Sequence, residues 1–273
     1  MLTASQIDHY HREGYISGVP VMSAEAAAGY LDHLERFERE HGDRARHLLR
    51  SKTHLILTWA DELMRHPRLL EAVSDILGPD VLCWLTSFFI KNERDPHFVS
   101  WHQDSNYWGL DSNEGVISAW VALTPSQVSN GCMRIIPRSH TRIIEHRETD
   151  DPNNMLTRGQ TAVVDDSDAV DIVLEPGEIC LFHPLAVHGS NPNSSGERRI
   201  GYAMRYIVPE RRQVVEETDS VALVLGEDRF GHFEHEPRPS HDLAPEALAV
   251  QDRVLGRKHG GLYMKNRQRQ ARQ

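Results

Sequence analysis

The tetrapeptide Trp101-His102-Gln103-Asp104 sets an imidazole and a carboxylate two positions apart. On an extended chain, residues i and i+2 share a face, so His102 and Asp104 point one way and Trp101 and Gln103 the other. Two such donors suit adjacent vertices of one metal ion. A third is offered 86 positions on, in Phe182-His183-Pro184-Leu185-Ala186-Val187-His188-Gly189-Ser190. There His188 follows an apolar run and precedes a glycine, which admits close backbone approach. Two histidines and one carboxylate leave three positions open, the facial arrangement that suits iron(II) and O2 chemistry. Zinc is the competing ion, but catalytic zinc commonly keeps one open position. With 17 histidines in the chain, a lone His-x-Asp carries little weight, and the distal His-Gly-Ser supplies it. His183, five residues before His188, is read as structural.

A second constellation follows in Arg198-Arg199-Ile200-Gly201-Tyr202-Ala203-Met204-Arg205, where Arg199, Gly201, Ala203 and Arg205 share a face. An inward guanidinium needs an anion, because a buried unpaired charge is costly. A dicarboxylate bound to the metal at one end would present the other end to such a fork. Arg198 faces outward and fits a structural salt bridge. For Arg205 both readings stand.

These side chains need elements to hold them. Residues 1–80 read as a helical prelude. Thr3 with Gln6 resembles a capping box, and Ser23 can cap a helix with apolar residues Ala27, Tyr30, Leu31, Leu34 and Phe37 at helical spacing. Pro67 and Gly78 bracket a third helix, 68–77. From Val81 onward the pattern is of short strands: 81–91, 99–104, 116–123, 132–136, 171–174, 178–182 and 200–208, separated by turn signals such as Glu175-Pro176-Gly177. The expected fold is mostly β with flanking α-helices, a double-sheet jelly roll spanning 81–210 within one domain of 1–273. The acidic, turn-rich stretch 145–169 is expected to be a mobile lid. Residues 211–239 fit no element, and the basic tail (Lys265, Arg267, Arg269, Arg272) reads as a solvated terminus.

Bulk properties exclude partners. A net charge of −10 argues against a nucleic-acid surface or an anionic membrane. No run approaches ~18 apolar residues, and the first ten residues hold no apolar export core. Cys83, Cys132 and Cys180 are an odd number among apolar neighbours, which suggests reduced thiols and a cytoplasmic location.

Taken together, these residues resemble the phytanoyl-CoA dioxygenase (PhyH) family of iron(II)/2-oxoglutarate oxygenases. The likeness runs to about Pro239 through Phe89-Ile90-Lys91, the His-Gln-Asp motif, Asn130-Gly131-Cys132-Met133-Arg134-Ile135-Ile136-Pro137, Pro176-Gly177-Glu178, His188-Gly189-Ser190 and Arg199. It implies iron(II) on His102, Asp104 and His188, with 2-oxoglutarate and O2 as co-substrates. It implies also that Arg199, eleven positions after the distal histidine, grips the far carboxylate, assisted by Ser190, with Trp120 nearby. Related carrier-protein halogenases replace the metal carboxylate with alanine or glycine. Asp104 is present here, so hydroxylation is expected over halogenation, with desaturation, ring closure and a catalytically silent barrel as alternatives. The expected partner is a small molecule, with anionic and carrier-tethered forms both open. Asn106, Tyr107 and Trp108 are candidates for its mouth, Lys52, Thr53 and His54 for a further wall, and Arg205 and Lys91 for an anionic group. Lys91 is counted with the co-substrate residues as well. The oligomeric state is left open.

Overall fold

A computed structural model describes residues 1–156, 160–216 and 218–255, with the side chains of Asn106 and Tyr107 outside that description. The basic tail also lies outside the described residues. Helix α1 (Ala4–Glu13) opens as its sequence predicts: Thr3 Oγ1 accepts from the Gln6 amide at 3.2 Å, and Gln6 Oε1 accepts from the Thr3 amide at 2.8 Å. Next comes β1 (Tyr15–Pro20), a strand inside the stretch expected to be helical. Its register shifts between Ile16 and Val19, where Gly18 takes φ +72°, and this bulge erases the alternation that would have marked a strand. Helix α2 (Ala24–His41) is capped by Ser23 and buries Ala27, Leu34 and Phe37. Two short helices, α3 (Asp43–Leu48) and α4 (Thr58–Met64), were not expected; neither begins with a side-chain cap. Pro67 and Gly78 bound α5 (Pro67–Leu77).

The strands are β2 (Val81–Lys91), β3 (Val99–His102), β4 (Val116–Ala122), β5 (Met133–Ile135), β6 (His146–Glu148), β7 (Gln160–Ala162), β8 (Val170–Ile172), β9 (Glu178–Phe182), β10 (His188–Ser190), β11 (Arg199–Ile207), β12 (Ser220–Leu225) and β13 (Glu234–His235). A major sheet runs β1-β9-β4-β11-β2-β12-β13 and a minor sheet β3-β10-β5-β8, giving a jelly-roll core. Alternation sorts the central strands. Ile117, Ala119, Val121, Tyr202 and Met204 face the helices with Leu34, Leu63 and Leu69. Trp120, Ala122 and Ala203 face inward against Met133, Ile135 and Ile172 of the minor sheet. Residues 211–239, unplaced from sequence, contain β12 and β13, which extend the major sheet beyond β2.

The acidic stretch expected to be a lid is fastened along β3 where it is described. Asn154 Oδ1 accepts from the Ser100 amide at 3.3 Å, and Ser100 Oγ donates to the Gln160 carbonyl at 2.6 Å. Further on, Asp166 accepts from the Trp101 indole at 3.2 Å. Backbone and side-chain bonds thus hold the segment against the strand that carries His102.

Candidate metal centre

Strand pairing brings the two histidines together. His188 on β10 is the direct partner of His102 on β3, and their rings lie 4.1 Å apart, centroid to centroid. The strand stops at His102 instead of running to Asp104 as expected. Gln103 is still extended (φ −110°, ψ 124°), so Asp104 keeps the same-face direction while opening a short 3-10 turn, Asp104–Tyr107. One ligand atom from each of His102, Asp104 and His188 lies within 4.8 Å of the others, and all three residues are buried.

The polar surroundings prepare each donor. His102 Nδ1 lies 2.9 Å from the Ser100 carbonyl and His188 Nδ1 3.0 Å from the Ala186 carbonyl. A carbonyl only accepts, so both Nδ1 atoms carry hydrogen and both Nε2 atoms are left as bare donors. Burial, with His102 beside it, pushes His188 down to about 3, so it is neutral at ordinary pH. Burial raises the Asp104 carboxyl, but the Arg205 guanidinium and His102 outweigh it and hold the group well below the usual carboxylate range. Its Oδ1 lies 3.3 Å from His102 Nε2, while Oδ2 accepts from Ser118 Oγ at 3.3 Å and faces Arg205 at 3.7 Å. Two imidazole nitrogens and one ionised oxygen converge, a donor set that fits a divalent ion such as iron(II).

Gln103, between the two ligands, is fully buried. Its Nε2 donates to the Leu185 carbonyl at 2.7 Å and the Arg142 carbonyl at 2.8 Å, and its Oε1 accepts from the Ile144 amide at 2.8 Å. Gln103 thereby ties the His102–Asp104 segment to the turn that leads into His188.

Further along the inward face of the major sheet lie a lysine and an arginine. Lys91 on β2 is the direct partner of Arg199 on β11. Lys91 Nζ donates to Ser190 Oγ at 2.7 Å and also to the Asn191 carbonyl. The Arg199 guanidinium lies over the Trp120 ring, 5.4 Å from its centroid, and its Nε is buried without a partner. Neither cation has a carboxylate within ion-pair distance among the described residues. Burial and the Arg199 charge push Lys91 down to about 6, and burial lowers Arg199 to about 10. A buried guanidinium with an orphaned Nε, beside a lysine that an arriving anion would protonate, fits the carboxylate end of 2-oxoglutarate. Gly201 lets the indole lie there, since a Cβ at that position would stand 1.9 Å from Trp120 Cζ2.

The structure redistributes the remaining candidates. Arg198 forms the expected outward salt bridge, with Glu38 at 2.8 Å. His183 is structural, its Nδ1 accepting from the Leu185 amide at 3.1 Å. Trp108 is buried edge-on against Trp84, with Val116 and Ile207 nearby, on the sheet face that also carries Ser118 and Arg205. Lys52, Thr53 and His54 do not face the site. Thr53 and His54 bond Thr86 at 3.1 and 2.8 Å, whereas the next residue on β2, Ser87, bonds Arg205 at 3.0 Å on the opposite face. The sheet therefore separates this trio from the metal ligands. Asn106 and Tyr107 as mouth residues lie outside the described side chains. Sequence reasoning missed Ser118 and the clamp role of Gln103. Ser118 carried one faint signal, a lone hydroxyl on the inward face of an otherwise apolar strand.

A jelly roll that converges two histidines and an aspartate beside a buried lysine and arginine defines the class as a facial-triad metal oxygenase fold. The family model of phytanoyl-CoA dioxygenase (PhyH) matches residues 6–201, and the chain belongs to that family. Among curated relatives, the peroxisomal phytanoyl-CoA dioxygenase of Bos taurus is 26% identical over 144 residues, 50% of this chain and 43% of the relative. The chain thus spans less than half the length of that relative. The ectoine dioxygenase of Bordetella parapertussis is 24% identical over 90% of this chain and 84% of its own length. Among solved structures, the non-heme monooxygenase ThoJ in its apo form is 32% identical, with a TM-score of 0.83 over 93% of this chain and 96% of that one. No described helix is long and apolar enough to cross a membrane.

Proposed function

We propose that this protein is an iron(II)- and 2-oxoglutarate-dependent dioxygenase that hydroxylates an unactivated C–H bond of a small polar metabolite. The observation that carries the reading is the placement of two complementary groups between the same two sheets. At one end are two imidazole nitrogens and an ionised carboxylate oxygen; at the other, the buried Arg199 guanidinium and Lys91 have no carboxylate within ion-pair distance among the described residues. Membership of the phytanoyl-CoA dioxygenase family supports it.

When bound, iron, 2-oxoglutarate and O2 supply the oxidising chemistry, with succinate and CO2 released; the protein supplies geometry and a dry cavity. His102, Asp104 and His188 would hold the metal. Arg199 would accept the far carboxylate of 2-oxoglutarate on its free Nε edge, with Lys91 and Ser190 completing the anion seat. Trp120 walls that seat and keeps water from it. Asp104 fills the coordination position that a halide would need, which favours hydroxylation. The test is succinate release across free amino acids, natural-product intermediates and acyl thioesters, run aerobically with iron(II). Conversion that depends on both iron and substrate, and is absent in Asp104→Ala, supports the reading. Oxidation at full rate in metal-free protein would overturn it.

A further inference from the structure

We infer that Arg205 is a second anion seat, distinct from the co-substrate pair, and that the substrate carries a carboxylate, phosphonate or phosphate group placed beside the metal. The inference rests on the proposed function and names its substrate class. Arg205 and Arg199 lie on the same face of β11, six residues apart, which at about 3.3 Å per residue separates their backbones by about 20 Å. Arg199 belongs to the end with Lys91, Ser190 and Trp120. Arg205 belongs to the metal end, where its NH1 donates to Ser87 Oγ at 3.0 Å and its guanidinium lies over Phe89, 5.8 Å from the centroid. With its far carboxylate on Arg199, the co-substrate leaves the Nε of Arg205 without a partner beside the metal.

Three observations give Arg205 an unmet demand. Its residue is 7% exposed, and its Nε is buried without a hydrogen-bond partner. The carboxylate within ion-pair range among the described residues is Asp104, at 3.7 Å, a distance beyond a good hydrogen bond. Asp104 is also the metal ligand, so its charge is shared once the ion is in place. A divalent metal and a dianionic co-substrate cancel each other, and Lys91, Arg199 and Arg205 then stand against Asp104 on this stretch of the inward face, with Asp219 beyond it on the Trp84 indole at 2.6 Å. Even with Lys91 neutral, an excess positive charge stays at the metal end. An anionic substrate group on Arg205 answers it, as a bidentate fork.

The test uses the full chain loaded anaerobically with iron(II) and saturating 2-oxoglutarate, so that the Arg199 seat is filled. Acetate and methylphosphonate are the probes and acetamide the neutral control. The readout is the visible metal-to-co-substrate absorption, with thermal midpoint as a second signal. Wild type is expected to respond saturably to at least one anion and not to acetamide. In Arg205→Gln the anion affinity should fall tenfold or more, with partial recovery in Arg205→Lys, while iron and 2-oxoglutarate affinities stay within about threefold. Three results overturn the inference: no saturable response to either anion, an equal response in Arg205→Gln, or loss of iron from both variants. The last would make Arg205 a support for Asp104 alone. Failure of wild type to load iron and 2-oxoglutarate would instead strike the proposed function, and this inference with it.

Discussion

At the scale of single residues, the co-substrate end makes the sharpest demands. Arg199 has a buried Nε with no partner, so a bound carboxylate there would be desolvated and strongly held. Replacing Arg199 by Met should cost about 2 kcal/mol or more of 2-oxoglutarate affinity, a Kd rise of roughly 30-fold, with metal binding retained. Calorimetric titration of both ligands checks this. Gly201→Ala should act through the neighbouring ring, because the new methyl would meet Trp120 at 1.9 Å. Overpacking of that kind costs about 1–3 kcal/mol, to be read from urea denaturation, and should weaken 2-oxoglutarate as the indole shifts. Much of this site was legible in the chain. His102, Asp104 and His188 were read from residue type and spacing and do converge, and Arg199 from its strand face, whereas Ser190 and Trp120 were named only through the family resemblance. His54 escaped because a position in the chain before a helix does not say which face of a sheet the side chain meets.

At the scale of elements, the centre depends on how two segments are joined. Gln103 bonds both the turn before His188 and the chain at Arg142–Ile144, from the middle of the ligand motif. Gln103→Leu leaves two carbonyls and one amide without their side-chain partner, and should lower iron affinity by roughly 10- to 100-fold, as loss of ligand-supporting contacts commonly does. Competition with a chelator would measure it, and a change in the metal-centred spectrum of the folded variant would distinguish misplacement from unfolding. The strand frame was readable because alternation and turn residues are local signals, and β9 was placed to the residue. What escaped was set by distant partners. The strand at Tyr15–Pro20 exists because it pairs with β9 across a bulge, and β12 because β2 offers it an edge. No window of sequence contains either partner.

At the scale of the whole molecule, a buried polar network joins the helical prelude to the chain after the core. Glu236 accepts from Lys52, from His54 Nε2 at 2.7 Å and from Ser220 Oγ at 2.6 Å, on the sheet face away from the metal. Glu236→Gln breaks a buried pair from one side and should cost about 3–5 kcal/mol of stability. The double change Lys52→Met with Glu236→Leu should recover much of that loss, since it leaves no unpaired charge. Burial raises the Glu236 carboxyl, but Lys52 and His54 outweigh it and hold the group far below its ordinary value. Its contribution is therefore fully present above the unfolded carboxylate value of about 4.3 and fades as pH falls toward the folded one. Wild type and Glu236→Gln should accordingly converge in denaturation midpoint as pH drops below about 4.

His102, Asp104 and His188 are proposed to hold an iron(II) ion that 2-oxoglutarate joins from the Arg199 side. Anaerobic titration of the protein with iron(II) and 2-oxoglutarate, followed by visible absorption, tests it without knowledge of the substrate. A saturable band that requires both additions, and is lost in His188→Ala while that variant stays folded, is the expected result. A band of full strength in His188→Ala, or none in wild type with both ligands in excess, would contradict it.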